Sequence, residues 1–381
     1  MKISIYTYSV TRSAGGVFDA VKDLFTSPVF DGQQISIFSY NDRYIELDLP
    51  QWNNIPIYLF RAGPMLWSLK ARNAVITSQA DILHMVALWR YPHLFILDWR
   101  SNRTEPILCS VHGMLDSWIV KSQGRVKRLI SKFLFDKALL AVDCFHALCQ
   151  KELEDIRAYG LTQPVAIIPN GVNLPHNTLH TQRTDTKKHL LYLGRLHPKK
   201  GIDTLLRAIG TIRKNGNRAI ENWVVEIVGW DHENSRERLE KIARSCSIED
   251  IVTFHGGVFG EDKMRIYSMS DAYILPSHSE GLPMTILEAW SWRLPVIMTP
   301  QCNIPEGYEV GAAIQISPEI DSVVRGIEEL FEMSQSERQA MGQRGYDLVV
   351  SQFTWDRSAE KMLELYRWLK FGGEKPEFVY E

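Results

Sequence analysis

The residues from Glu280 to Glu288 place two carboxylates and a helix start in one short segment, Glu-Gly-Leu-Pro-Met-Thr-Ile-Leu-Glu. Glu280 lies on a glycine turn. Glu288 falls a short way inside a helix, whose first position suits Pro283 because that position needs no backbone N–H. The free N–H groups of such a helix end form an anion site. Two carboxylates beside an anion site predict a clamp for a ligand with hydroxyls and phosphates, such as a nucleotide-sugar. A surface loop followed by a helix with solvated glutamates is the alternative.

A second candidate loop, Gly194–Gly201, reads Gly-Arg-Leu-His-Pro-Lys-Lys-Gly. It follows an apolar run at 189–193 and precedes apolar residues at helical spacing. A cationic loop after a parallel strand lies at the carboxyl edge of the sheet, where open α/β folds bind ligands. We therefore expect Arg195 and Lys200 to face a diphosphate as fixed positive charges. The alternative for the lysines is ordinary solvation, which is the state of most lysines.

Taken together, these segments resemble those of the retaining glycosyltransferases of family four. The resemblance implies an α/β fold of the GT-B type, with two Rossmann-like domains whose parallel sheets face a central cleft. It also implies a C-terminal helix that crosses back to the first domain. The matching residues follow in the family's order: Gly15-Gly16, His112-Gly113, Pro169-Asn170-Gly171-Val172, Gly194-Arg195 with Lys200-Gly201, Gly229, and Glu280 to Glu288.

The resemblance implies a role for each residue of the second domain. Glu288 would accept hydrogen bonds from the ribose hydroxyls, and a carboxylate offers two oxygens to such a diol. Glu280 would face hydroxyls of the transferred sugar. Val258 would contact the nucleotide base through its backbone. The residues that would line the sugar and the phosphates are Gly281, Leu282, Pro283, Met284 and Thr285.

The resemblance also implies how the reaction proceeds. Arg195 and Lys200 would neutralise the charge that grows on the leaving diphosphate, so they would lower the barrier selectively. The departing phosphate oxygen would take the acceptor's proton, and no enzymatic nucleophile is nominated. The chain has no Asp-x-Asp sequence. Because a helix end and two cations can supply the missing positive charge, we predict no metal and no cofactor.

Two sites in the first domain are further candidates. His112-Gly113 ends the predicted strand 106–111, and the resemblance implies that His112 reaches the sugar or its reacting centre. A histidine with satisfied hydrogen bonds at a strand end is the alternative. Gly15 and Gly16 give the first loop the backbone freedom to approach phosphate or acceptor closely, although a plain turn explains them as well.

Strand-like and helix-like segments alternate along the chain, which predicts parallel sheets covered on both faces. The predicted domains are 1–173 for the acceptor, a linker at 174–188, and 189–353 for the nucleotide-sugar. A helix at 354–371 would return to the first domain, and the tail 372–381 has no assigned role. The predicted strands are 3–8, 35–38, 55–60, 82–86, 107–111, 144–149, 165–168, 190–193, 224–228, 251–254, 272–275, 296–298 and 314–316.

Composition agrees with a globular enzyme of two domains. The chain has 381 residues, 45% of them hydrophobic and 23% charged, and a net charge of -2. The absence of a basic excess argues against a nucleic-acid partner. The five cysteines form no Cys-x-x-Cys pair, so buried free thiols in a reducing compartment are expected. With no early apolar segment typical of a signal peptide, we expect a cytoplasmic location.

The segment 118–140 is basic and amphipathic. Its apolar residues fall on one helical stripe and its cations on another, so it could lie on an anionic membrane surface and place the protein on the inner face of the membrane. An ordinary surface helix with its apolar stripe on the core is the alternative. The cations of the stripe are Lys121, Arg125, Arg128 and Lys132.

Three classes of function follow. The first is transfer of a hexose from a nucleotide-diphosphate sugar to a saccharide or lipid-linked saccharide in cell-surface polysaccharide synthesis, with a UDP-sugar such as UDP-glucose favoured. The second is another GT-B enzyme, such as a nucleotide-sugar epimerase; a phosphorylase would need a lysine bound to pyridoxal phosphate, and nothing marks one. The third is a non-catalytic nucleotide-sugar-binding module. The combination of Arg195, Lys200, Glu280 and Glu288 favours the first.

Overall fold

A computed structural model describes residues 1–86, 88, 91–115, 135–175 and 186–381. The chain divides into two compact units: unit 1 contains Met1–Gly171 and Trp355–Glu381, and unit 2 contains Val172–Thr354. The basic stripe of Lys121, Arg125, Arg128 and Lys132 lies outside the described residues, as does most of the predicted linker.

The strands follow the apolar runs in the sequence. Each predicted run contains a strand, and the bounds differ from the prediction by at most two residues at either end. The strands are β1 Lys2–Tyr6, β2 Gln34–Tyr40, β3 Ile57–Phe60, β4 Ile82–Val86, β5 Ile107–Ser110, β6 Cys144–Ala147, β7 Val165–Ile167, β8 Lys188–Leu193, β9 Trp223–Val228, β10 Val252–His255, β11 Ala272–Leu275, β12 Val296–Met298, β13 Ala313–Gln315 and β14 Val379–Tyr380.

The helices of the described residues lie mostly between these strands, as the alternation predicts. Their buried faces are apolar, and in the helix after β8 they include Ile202, Leu205 and Ile209. The helices are α1 Gly16–Phe25, α2 Ile45–Asp48, α3 Leu69–Thr77, α4 Phe95–Asn102, α5 Gln150–Tyr159, α6 Ile202–Lys214, α7 Ser235–Ser245, α8 Gly260–Met269, α9 Met284–Ser291, α10 Glu306–Glu309, α11 Ile320–Glu332, α12 Gln335–Gln352 and α13 Trp355–Phe371.

Both sheets have the strand order of a doubly wound fold, so the predicted fold class is confirmed. In unit 1 the order is β14-β7-β6-β5-β4-β1-β2-β3, and in unit 2 it is β10-β9-β8-β11-β12-β13. All pairs are parallel except that of β14 with β7. The tail was assigned no role, yet β14 from this tail closes the edge of the first sheet.

The C-terminal helix α13 belongs to unit 1. The Ser358 hydroxyl donates to the Pro169 carbonyl oxygen at 2.7 Å, and the Ser27 hydroxyl donates to Asp356 at 2.7 Å. The unit boundaries differ by two residues from the predicted domain, because Val172 pairs with Thr354 and donates its N–H to Phe353. Those contacts place Val172 and its neighbour Asn173 with unit 2.

A buried chain of hydrogen bonds crosses the sheet of unit 1. Nε2 of His146 faces the Ile168 carbonyl oxygen at 2.8 Å, so this nitrogen donates and Nδ1 must accept. The Ser110 hydroxyl therefore donates to His146 Nδ1 at 2.6 Å and accepts from His84 Nε2 at 2.7 Å. His84 Nδ1 accepts from the Tyr366 hydroxyl at 2.7 Å. Burial lowers the pKa of both histidines, so both rings are neutral as these roles require, and the Tyr366 contact ties α13 to the middle of the sheet.

The described cysteines are free thiols, as predicted. Four of the five are buried, and Cys246 is partly exposed. Burial raises the pKa of the Cys302 thiol to about 12, so this side chain is neutral.

Candidate active site

The strand order of unit 2 reverses between β8 and β11, which are neighbours in the sheet. Chain segments leave the carboxyl ends of these two strands in opposite directions across the sheet, and open α/β folds bind ligands in the resulting crevice. The loop after β8 carries Arg195 and Lys200, and the loop after β11 carries Glu280. The two candidate loops of the sequence therefore start at the position where this fold binds ligands.

Close backbone packing fixes the loop after β8. The Gly194 N–H donates to the Val228 carbonyl oxygen at 2.9 Å. A Cβ atom on Gly229 would lie 1.8 Å from the Gly194 carbonyl oxygen, so only glycine permits this approach. Gly201 has a φ of 71°, and a Cβ atom there would lie 2.1 Å from the Pro276 carbonyl oxygen in the loop after β11. The two loops are therefore in contact next to Lys200.

Lys200 and Glu280 form an ion pair across these loops. The Lys200 Nζ lies 2.6 Å from the Glu280 Oε1, and the two side chains are 14% and 7% exposed. The Ser277 hydroxyl donates to the same carboxylate oxygen. From the sequence, Lys200 was expected to face the diphosphate and Glu280 to face the transferred sugar. The structure places the two side chains against each other, so a ligand at this position would meet a joined cation and anion.

Asn303 holds the backbone at the glycine turn. Its Nδ2 donates to the carbonyl oxygens of Glu280 at 2.7 Å and Gly281 at 2.9 Å. The Glu280 N–H donates to the Gln301 carbonyl oxygen at 3.1 Å. These contacts fix the turn that directs the Glu280 side chain toward Lys200.

Glu288 lies in α9 and has partners of its own. Its Oε1 is 2.5 Å from the Lys263 Nζ, and its Oε2 accepts from the Tyr267 hydroxyl at 2.8 Å. The Glu288 side chain is 19% exposed. The sequence analysis missed both partners. Lys263 and Tyr267 are four residues apart, so they lie on one face of α8. This spacing is the feature of the sequence from which they could have been identified.

The amino-terminal end of α9 begins one residue later than predicted. Pro283 precedes the helix with a φ of -77° and a ψ of 102°, and Met284 is the first helical residue. The extended ψ of Pro283 explains the shift, because it lies outside the helical region. The N–H groups of Met284 and Thr285 have no acceptor among the described residues. Leu282 and Met284 pack against the core and leave these N–H groups at the helix end.

Tyr273 joins this helix end to the first loop. Its hydroxyl lies 3.1 Å from the carbonyl oxygen of Leu193, the last residue of β8, and 2.6 Å from the Thr285 Oγ1. Tyr273 is fully buried, so its position is set by the core. The helix end and the cationic loop are thus held by one buried side chain.

Arg195 and Val258 are placed differently from Lys200. The Arg195 side chain is exposed and has no hydrogen-bond partner in the described part of the chain, while its carbonyl oxygen accepts from the Tyr192 hydroxyl at 2.9 Å. Val258 follows β10 and packs, partly buried, against the core of unit 2. Arg195 therefore shares the loop with Lys200 but takes no part in the ion pair.

His112 lies in a turn beyond the carboxyl end of β5, which ends one residue earlier than predicted. The φ of His112 is 44°, and its ring centroid is 6.2 Å from that of His146. Burial, with the nearby His146 as a second cause, lowers the pKa of His112 to about 3. The imidazole is therefore neutral at physiological pH.

Gly15 and Gly16 lie at the start of α1 in unit 1. Gly15 has a φ of 58°, which requires the freedom of glycine, and Gly16 is the first residue of the helix. Asp42 fixes the preceding loop, since its Oδ2 accepts hydrogen bonds from the hydroxyls of Ser9, Thr11 and Ser13 at 2.9, 2.7 and 2.6 Å. The sequence analysis did not identify Asp42.

The described residues contain neither a candidate metal site nor a membrane-spanning helix. Within the described ranges, no three His, Cys, Asp or Glu side chains cluster in a way that could hold a metal ion. In the same ranges, no helix has the length and apolar composition of a membrane span. Chemistry without a metal remains a prediction from the sequence.

Two relatives of this chain carry the names of glycosyltransferases. The chain is 30% identical over 195 residues to a GDP-mannose-dependent alpha-(1-6)-phosphatidylinositol monomannoside mannosyltransferase of Mycobacterium tuberculosis, and the alignment covers 49% of each protein. The chain thus spans about half the length of that relative. It is 23% identical to an uncharacterized glycosyltransferase of Methanocaldococcus jannaschii, over 96% of this chain and 98% of the relative.

Solved structures share the fold. Sucrose-phosphate synthase from Thermosynechococcus elongatus superposes with a TM-score of 0.74 at 19% identity, over 97% of this chain and 99% of that one. A family model described as Glycosyltransferase Family 4 matches residues 25–175, and one described as Glycosyl transferases group 1 matches residues 180–348. The chain therefore belongs to the glycosyltransferases of family four.

Proposed function

We propose that this protein is a retaining hexosyltransferase that moves a hexose from a nucleoside diphosphate sugar to a saccharide or lipid-linked saccharide. The observation that carries the proposal is the Lys200–Glu280 pair, 2.6 Å apart at the point where the strand order of unit 2 reverses. Beside it, the first turn of α9 presents N–H groups that suit a phosphate. The reaction would occur without a metal, as part of cell-surface polysaccharide synthesis.

Each charged group has a part in this proposal. Lys200 and Arg195 would stabilise the leaving diphosphate, and Glu280 would turn from Lys200 to the hydroxyls of the hexose. Glu288 would bind the ribose hydroxyls while Lys263 and Tyr267 hold its carboxylate. His112 would act on the sugar as a neutral hydrogen-bonding group. A nucleotide-sugar held in this way would react faster, because the groups that stabilise charge on the diphosphate are in place before the bond between sugar and diphosphate breaks.

The donor remains to be identified by experiment. The sequence favours a UDP-sugar, whereas the name of the mycobacterial relative gives GDP-mannose. Thermal unfolding with UDP, GDP, ADP and their sugars distinguishes these donors, because a ligand that binds the folded state raises the melting temperature. We expect the melting temperature to rise with the nucleotides of one base only. Incubation of that donor alone tests for an epimerase, and an acceptor panel tests for a binding module without turnover.

The site assignment is tested by two substitutions and a control. Glu288→Ala should weaken nucleotide binding, whereas Glu280→Ala should mainly reduce turnover. Glu329→Ala changes an exposed glutamate of α11 and should leave both unchanged. If Glu280→Ala and Glu288→Ala bind and turn over donor like the wild type, the assignment is wrong.

A lipid-linked acceptor would bring the enzyme to a membrane surface. The basic stripe of Lys121, Arg125, Arg128 and Lys132 supports this part of the proposal from the sequence alone. We expect co-sedimentation with anionic vesicles that weakens when all four become Glu. Absence of vesicle binding in the wild type, or unchanged binding in the variant, would contradict it.

A further inference from the structure

Glu152 is a buried carboxyl group in unit 1 with no role in the site described above. It occupies the third position of α5 and is 3% exposed. Burial raises the pKa of Glu152 to about 7, against the opposing effect of hydrogen bonds from the N–H groups of Leu148 and Gly113. A buried carboxyl group is costly unless it has partners, so its contacts indicate what it stabilises.

The two partners of Glu152 come from adjacent strands. Its Oε2 accepts from the Leu148 N–H at 2.8 Å, and Leu148 directly follows β6. The other oxygen, Oε1, lies against Gly113 in the turn after β5, 3.7 Å from where a Cβ atom of Gly113 would stand. One side chain thus ties together the chain segments that leave the carboxyl ends of two neighbouring strands.

The turn held by Glu152 contains His112. His112 has a φ of 44° and Gly113 has a φ of 71°, so two successive residues are in the left-handed region. A non-glycine residue in this region is strained and persists only where its surroundings hold it. A Cβ atom on Gly113 would lie 3.7 Å from the Glu152 Oε1, which is ordinary contact, so Gly113 is required by its backbone angle.

We propose that Glu152 is a positioning residue that holds the His112–Gly113 turn, and through it the direction of the His112 ring. The contacts that carry this are the hydrogen bond from the Leu148 N–H to the Glu152 Oε2 and the approach of the Glu152 Oε1 to the backbone of Gly113, next to His112. The kinetic part of the inference rests on the proposed function. Misplacement of a reacting group by about 1 Å can cost about 10²-fold in rate.

The kinetic test is a double-mutant cycle with the donor found by thermal unfolding. Glu152→Ala should lower kcat by about 10–100-fold and leave nucleotide affinity unchanged. Glu152→Gln keeps the size and one acceptor oxygen, so its loss should be smaller. The double variant Glu152→Ala/His112→Ala should be no slower than His112→Ala alone, because the two residues act as one unit. Additive losses would overturn the inference.

A second measurement does not depend on activity. In protein labelled at histidine, the ring signal of His112, identified by its loss in His112→Gln, should move in Glu152→Ala and Glu152→Gln. The ring signals of His197 and His255 in unit 2 should stay in place. If Glu152→Ala does not fold, Glu152→Gln serves alone. An unmoved His112 signal in a folded variant overturns the inference, whereas a wild type inactive with every donor overturns only the proposed function.

Discussion

The central polar interactions at the sheets of the two units differ in kind. Unit 2 pairs full charges, Lys200 with Glu280 and Lys263 with Glu288, at the carboxyl edge of its sheet. Unit 1 uses a neutral chain that runs from Tyr366 through two histidines and a serine to a backbone carbonyl. A charged pair can exchange its partner for a charged ligand, whereas the neutral chain has every hydrogen bond satisfied within the unit. The comparison predicts that unit 2 responds to ligand and unit 1 to acid.

The largest effect is expected when one charge of the site is removed. Lys200→Ala would leave Glu280, which is 7% exposed, as an unpaired buried charge. Breaking such a pair costs about 3–5 kcal/mol, so the free energy of unfolding of unit 2 should fall by about that amount. Denaturant unfolding measures it, and hydrogen exchange assigns the loss to unit 2.

The control for this substitution is Lys214→Ala at an exposed position of α6. Lys214→Ala also removes a lysine side chain but leaves no buried anion. The free energy of unfolding should therefore change by no more than about 0.5 kcal/mol. If Lys200→Ala destabilises no more than Lys214→Ala, the pair is not a structural part of unit 2, and the contrast with unit 1 fails.

Acid should weaken unit 1 before unit 2. Burial lowers the pKa of His146 to about 4, so above pH 6.5 neither the folded nor the unfolded state carries the proton and stability is unaffected. As the pH falls from 6.5 toward 4, the unfolded state binds the proton first, and stability falls. At pH 5 this one histidine lowers the free energy of unfolding of unit 1 by about 2 kcal/mol.

Unit 2 provides the internal control for the acid experiment. Hydrogen bonds from His189 and His255 outweigh the effect of burial and lower the pKa of Glu226 to about 2. The stability from this carboxylate is present above pH 4.5 and is lost only as the pH falls toward 2. Hydrogen exchange at pH 7 and pH 5, corrected for intrinsic rates, should show faster opening in unit 1. Faster opening in unit 2 would reverse the comparison.

Local patterns in the sequence predicted the elements, but not the contacts between them. Apolar runs located β1 to β13, because a buried parallel strand is apolar on both faces. The two residues of β14 have no such pattern, and their strand forms because β7 offers a free edge. The Lys200–Glu280 contact joins positions 80 residues apart through the order of strands, which no local spacing reveals. The contacts of Glu152 are equally hidden, because this glutamate looks like an ordinary helix residue in the sequence.

A smaller effect is expected from a single break in the neutral chain. Ser110→Ala would leave His84 Nε2 and His146 Nδ1 buried without partners, at a cost of about 1–3 kcal/mol in the stability of unit 1. Ser39→Ala is the matched control on β2, because the buried Ser39 hydroxyl has no hydrogen-bond partner among the residues that the structure describes. Equal melting temperatures of the two variants would show that the chain adds no stability.

The smallest effect is expected at Glu288 of unit 2, where Tyr267→Phe removes one hydrogen bond to the carboxylate without changing any charge. Lys263 still contacts the Oε1 of Glu288, so the fold should stay intact. The Oε2, which loses its partner, should only become less fixed in direction. Because only the direction of the carboxylate changes, we expect about fivefold weaker nucleotide binding by calorimetry, which corresponds to about 1 kcal/mol.

Tyr308→Phe is the control for this last variant, because its hydroxyl donates to the Met298 carbonyl oxygen and not to a carboxylate. Both variants lose one tyrosine hydroxyl of unit 2, so a general loosening of the fold would weaken nucleotide binding equally in the two. A loss confined to Tyr267→Phe would mean that ligand affinity depends on how the charged groups are held, as the contrast between the two units requires. Equal losses would mean that affinity follows stability alone.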